Sequence, residues 1–151
     1  MASEWRRGEY VVSTDPERLD LDLIHGFLTA SYWAHGIRPE VVRRSIAGAL
    51  PFGLYHGERQ VGFARAVTDG ATFAYVADVF VLEEERGHGL ATWLMECMVA
   101  HPDLQGLRRW MLATRDAAGL YRKEGFVPLG SPERWMERHF ADVYGRPLQP
   151  E

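Results

Sequence analysis

Ala77-Asp78-Val79-Phe80-Val81-Leu82, followed by Arg86-Gly87-His88-Gly89-Leu90-Ala91-Thr92, is the stretch whose reading decides the fold. The first part is apolar and rich in β-branched and aromatic residues, which predicts a buried strand. Gly87 and Gly89 then open an apolar run, Leu90 to Ala100, of helix length. Strand, glycine loop and helix in that order make a phosphate site. Glycine accepts positive φ and lets backbone amides approach a ligand closely. The first turn of the helix adds unpaired N–H donors and a partial positive charge. Arg86 to Met95 contain no Asp or Glu, so a pyrophosphate there would meet donors and Arg86 but no like charge.

Two common phosphate loops are excluded. The dinucleotide fingerprint needs a third glycine where this chain has Thr92. A Walker loop needs Gly-Lys-Ser/Thr, which does not occur. The spacing Arg86-x-x-Gly89-x-Ala91 instead resembles the acyl-CoA pyrophosphate loop of the Gcn5-related N-acetyltransferases (the GNAT family). A second motif, Leu120-Tyr121-Arg122-Lys123-Glu124-Gly125-Phe126, resembles the L-Y-x-x-x-G-F signature of that family. A strand-like run, Arg109 to Thr114, separates the two in the family's order.

The resemblance spans roughly Tyr10 to Arg138. It implies one N-acetyltransferase domain over residues 1–151, with its core at about 10–138 and a tail at 139–151. It implies acetyl-CoA as cofactor and acetyl transfer to a primary amine by direct attack in a ternary complex. The acceptor is then a small amine or a peptide amine. A protein lysine acetyltransferase and a non-catalytic acyl-CoA-binding regulator are the alternatives.

Composition agrees with an ordinary globular chain: 46% hydrophobic and 25% charged over 151 residues, enough for one core. The net charge of −4, without a basic block, argues against nucleic acid as partner. No apolar run reaches membrane-span length and Met1 to Arg6 has no signal-peptide core, so a cytoplasmic location is expected. The single cysteine, Cys97, sits in the apolar helix and reads as a small core residue. The six histidines show no metal-ligand spacing.

Glu9 to Ser13 is predicted as the first strand. A helix is expected to start at Asp15-Pro16 and end near Gly36, with Leu19, Leu23, Ile24, Phe27 and Leu28 on one face. A second opens at Arg38-Pro39 and buries Val41, Val42, Ile46 and Leu50. Phe52–Tyr55 and Val61–Val67 form a hairpin about His56–Arg59. Asp69-Gly70 turns into a long central strand, Thr72 to Leu82. A helix near Asp116 to Glu124 follows, then strands at Phe126–Leu129 and Glu133–Glu137, with Pro128 favouring an edge or a bulge. Arg146 to Glu151, with two prolines, is expected to be loose. The uneven alternation implies an α/β fold, a mixed central sheet with helices on both faces. The C-terminal strand and Trp135 suggest a homodimer interface.

For the site, the resemblance points to the backbone of Val79, Phe80 and Val81 as the pantetheine partner, freed by a bulge. A continuous, fully paired strand is the other reading. Arg86, Gly87, His88, Gly89, Leu90, Ala91 and Thr92 form the expected pyrophosphate loop. Thr114 stands where many relatives place an asparagine against pantetheine, with Asp116 or Arg115 as the alternative contact. Tyr121 is the candidate acid for the leaving thiolate, or else a core aromatic paired with Phe126. Asp78 is the candidate base, or a hydrogen-bonded structural acid. Tyr75 falls where some relatives carry a glutamate base. Tyr32, Trp33 and His35 would line the acceptor entrance, and Asp69 would attract a cationic amine.

Overall fold

A computed structural model describes residues 1–145. The local signals translate into six strands and four α-helices among these residues: β1 (Glu4–Arg7), β2 (Tyr10–Ser13), α1 (Leu21–Thr29), α2 (Pro39–Ala47), β3 (Leu50–His56), β4 (Arg59–Thr68), β5 (Phe73–Val81), α3 (Leu90–Val99), β6 (Arg109–Met111) and α4 (Ala118–Arg122). The sheet order is β1-β2-β3-β4-β5-β6. Neighbours are antiparallel except β5 and β6, which run parallel.

Each face of the sheet buries its own core. On one, Phe52, Leu54, Ala64 and Val76 pack with Trp93, Leu94, Met98 and Tyr121 of α3 and α4. On the other, Phe63 and Phe80 pack with Ile24 and Leu28 of α1 and Val42 and Ile46 of α2. Helices therefore cover both faces of a mixed sheet, as expected. Cys97 is buried in the first core. No helix among the described residues is long and apolar enough to cross a membrane.

Several boundaries move for local reasons. The N-terminal hairpin gains β1, where Trp5 packs on the first core. Asp15 caps only a short 3-10 turn at Pro16–Arg18, after which Leu19 is extended. Asp20 is the actual N-cap of α1, its carboxylate accepting from the Leu23 N–H at 3.0 Å. That helix stops at Thr29 rather than Gly36. The Ser31 hydroxyl donates to the Leu28 carbonyl at 2.6 Å and accepts from the Ala34 N–H, diverting the chain. A loop thus joins α1 to α2, and it carries Tyr32 and Trp33. Leu50 begins β3 instead of ending α2.

The two strands expected after Phe126 do not form. Among the described residues no strand follows β6; Pro132–Arg134 is a 3-10 turn and the rest is irregular. Pro128 and Pro132 lack the N–H a ladder needs. Trp135 instead stacks beneath the Arg109 guanidinium, 4.7 Å from ring centroid to Cζ. The reading of Arg146 to Glu151 as a loose tail falls outside the described residues.

Candidate active site

The deciding local feature is a bulge in β5. Phe63 pairs with Phe80 but Arg65 pairs with Ala77, so three residues of β5 span two steps of β4. The extra residue is Asp78, whose φ of 58° is the only positive value at a non-glycine among the described residues. Aspartate is one of the few side chains that tolerates this left-handed region. The bulge reverses side-chain parity: Val76 and Val81 face one core while Phe80 faces the other. The β5–β6 ladder ends just before it, at Tyr75 with Met111. Beyond Tyr75 that edge of β5 has no strand partner among the described residues.

Asp78 is held on both oxygens. Arg65 Nε donates to Oδ2 at 2.7 Å and the Trp33 indole N–H donates to Oδ1 at 2.9 Å. The Asp78 and Arg65 side chains are only 9% and 18% exposed. The carboxylate thus ties β4 and the α1–α2 loop to the bulge.

A cavity of about 510 Å³ opens beside the bulge. Asp78 and Val79 form one wall, Tyr32 and Trp33 a second, and Thr114 and Tyr121 a third, with Tyr75 and Tyr144 completing the rim. Sequence reasoning had brought most of these together, but it missed Arg65 and Tyr144. A charge inside the apolar run Val61–Val67, matching Asp78 inside the run Ala77–Leu82, was the available signal for Arg65. Tyr144 is admitted by Gly36: a Cβ there would lie 2.6 Å from the Tyr144 carbonyl oxygen, and Gly36 has φ +85°. His35 does not line the cavity.

Asp69 is corrected. It lies outside the cavity and caps its own turn, accepting from the backbone N–H of Ala71, Thr72 and Phe73 and from the Thr72 hydroxyl. Those bonds, led by the Thr72 N–H, hold its carboxyl far below the usual carboxylate range. Thr114 lines the cavity, and its hydroxyl oxygen also accepts from the Ala117 N–H at 3.0 Å, at the entry to α4.

Tyr121 is 8% exposed and its ring packs edge-on to Phe126, with centroids 6.1 Å apart. Burial pushes its phenol up to about 12, with Tyr32 adding to the effect. The group is therefore protonated at neutral pH. Its hydroxyl makes no hydrogen bond among the described residues, although the residue lines the cavity. The ring is a core aromatic, and its polar end remains available as a donor.

Downstream, Gly87 and Gly89 adopt φ of 88° and 71°, and Gly89 caps the 10-residue α3 without a side-chain hydrogen bond. Gly87, His88 and Gly89 are exposed, Leu90 is buried, and Ala91 and Thr92 are half-buried. The Arg86 Nε–H donates to the Val81 carbonyl at 3.1 Å, folding the loop back on β5 and occupying one backbone acceptor of the Val79–Val81 segment. Glu85, just before the loop, accepts from the Tyr10 hydroxyl at 2.7 Å and lies 3.0 Å from His56 Nδ1.

Comparisons with known proteins converge on one family. The profile of the GNAT acetyltransferase domain matches residues 47–128. A protein of Gibberella zeae, named as a candidate acetyltransferase, is 34% identical over 142 residues, 79% of each chain. The crystal structure of a candidate GNAT acetyltransferase from Xanthomonas campestris superposes with a TM-score of 0.89 at 48% identity, covering 93% of this chain and all of that one. A candidate acetyltransferase of Clostridium acetobutylicum, solved with acetyl-CoA, shares the fold at 15% identity and a TM-score of 0.62, over 92% of this chain and 96% of its own.

Proposed function

Since the chain belongs to the GNAT acetyltransferase family, we propose that it binds acetyl-CoA and transfers the acetyl group to a primary amine by direct attack, both substrates being bound at once. The observation that carries this reading is the splay at Asp78. There β5 loses its β6 partner, and its open edge runs from the Tyr121 cavity towards the Gly87/Gly89 loop. The residues present fit the cofactor. A Cβ at Gly87 or Gly89 would meet nothing within 4 Å, so the space over the loop is clear. The N-terminus of α3 and Arg86 supply donors and positive charge for a pyrophosphate. The Val79–Phe80 edge supplies backbone groups for the amide-bearing arm.

When bound, acetyl-CoA supplies an activated acyl carbon and a thiolate leaving group. In the transfer a nitrogen–carbon bond forms as the carbon–sulfur bond breaks; one proton leaves the nitrogen and one reaches the sulfur. Tyr121 donates the second, and its raised pKa keeps that proton in place until it is needed. Backbone N–H groups at the bulge stabilise the charge that develops on the acyl oxygen. Asp78, with both oxygens already accepting, holds the bulge in shape. The proton from the amine passes to solvent in the cavity that Tyr75 lines.

The test combines melting temperature in acetyl-CoA with thiol release over a panel of amines. The reading expects a melting shift and amine-dependent thiol. No shift at millimolar acetyl-CoA would overturn it.

A further inference from the structure

On the reading just given, we infer that the acceptor is a primary alkylamine whose short chain ends in an aromatic ring, with no second positive charge. Large apolar side chains are rarely left half-open without use when they converge. Tyr32, Trp33 and Tyr75 are 39%, 42% and 37% exposed, and all three line the one cavity beside the Tyr121 hydroxyl. Two come from the α1–α2 loop and the third from β5, so they reach the space from different elements.

Two of these rings, Tyr32 and Trp33, are fixed in advance. Trp33 is pinned through its indole N–H to Asp78 and meets Tyr32 edge-on, with centroids 5.2 Å apart. It also contacts Phe27, which stacks on Phe80 of β5 at 3.9 Å. The Arg115 guanidinium covers one face of Tyr32 at 3.9 Å. A pinned aromatic wall favours a flat guest, because ring pairs gain from offset and edge-on geometry beyond the area they bury. Little ordering cost remains to be met on binding.

The charges select against polyamines. The carboxylates lining the cavity are Asp78 and Asp116, and each faces a guanidinium: Asp78 has Arg65 at 2.7 Å and Asp116 has Arg115 at 3.7 Å. The other titratable groups lining it are the phenols of Tyr32, Tyr75, Tyr121 and Tyr144. A second ammonium would meet two arginines and no unpaired acid, which disfavours it.

The experiment compares kcat/KM by thiol release for 2-phenylethylamine, 2-cyclohexylethylamine, hexylamine and spermidine at saturating acetyl-CoA. Each ring contact is worth about 2- to 10-fold, so phenylethylamine should exceed the cyclohexyl and hexyl amines by about tenfold or more, with spermidine poorest. Tyr75→Leu and Trp33→Leu should each pull the phenyl-to-cyclohexyl ratio towards one. Tyr75→Leu alters an exposed side chain and keeps the test valid if Trp33→Leu fails to fold. Equal rates for the phenyl and cyclohexyl amines, or spermidine as the best substrate, would overturn the inference and leave the acetyltransferase reading intact. Failure of every amine, with the acetyl-CoA melting shift retained, would also overturn it. Loss of that shift in the wild type would instead remove the reading on which it rests.

Discussion

Arg65 reaches from β4 across the bulge to Asp78, with Nε 2.7 Å from Oδ2. The pair joins a residue in a left-handed conformation to the strand it has slipped against. Trp33 fixes the other oxygen from the α1–α2 loop. One carboxylate thus sets the shape of the open β5 edge and the position of an aromatic wall of the cavity.

Loss of that carboxylate should therefore be felt first as stability. Asp78→Ala leaves Arg65 largely buried without its partner, and should cost about 3–5 kcal/mol in urea unfolding. Asp78→Asn tolerates the backbone and should cost less. Per folded molecule the asparagine variant should keep the pH dependence of wild-type turnover. A turnover drop of about 100-fold with a flattened acidic limb would identify Asp78 as the base.

Tyr121→Phe keeps the ring, its contact with Phe126 and its packing on the first core, and removes a hydroxyl that has no hydrogen-bond partner among the described residues. The melting temperature and acetyl-CoA binding should stay close to wild type. Turnover should fall by about 10²–10⁴-fold where proton transfer limits the rate. Steady-state turnover and the acetyl-CoA melting shift on one preparation check both halves, and wild-type turnover with chemistry rate-limiting would dismiss the acid role.

Gly89→Glu places a side chain into open space at φ +71°. The strain should cost about 1–2 kcal/mol, partly offset by an acid at a helix N-terminus. The same charge opposes a pyrophosphate. Wild-type protein at 100 times its acetyl-CoA dissociation constant should gain about 2.7 kcal/mol. Thermal scans with and without acetyl-CoA should show that gain disappearing in a variant that still melts cooperatively.

The His56–Glu85 pair should contribute its full stability only within a limited pH window. Hydrogen bonding to Glu85, then to Glu9, raises the His56 pKa. Its contribution is full below the unfolded value of 6.5 and is lost as pH rises through the raised folded value. Hydrogen bonds from Tyr10, then from His56, lower the Glu85 pKa. Its contribution is full above the unfolded value of 4.5 and is lost as pH falls through the lowered folded value. Both are therefore complete between pH 4.5 and 6.5. Melting temperatures across pH should show His56→Gln losing the alkaline decline that the wild type has above 6.5.

Read alone, the sequence determined what rests on short-range physics. Apolar runs of strand and helix length located β5 and α3. Paired glycines between them fixed a loop that must take positive φ, and Leu120-Tyr121…Gly125-Phe126 supplied the second motif of the family. The pinning of Asp78 was decided only by the tertiary structure, because its partners lie 13 and 45 residues away and periodicity carries no record of which distant group will face a carboxylate. Asp69, read from the sequence as an attractant for a cationic amine, is instead closed into its own turn. The strands expected after Phe126 did not form: Pro128 and Pro132 lack the N–H groups that a ladder needs. A strand exists only when a second backbone accepts its hydrogen bonds, and that condition lies outside the segment itself.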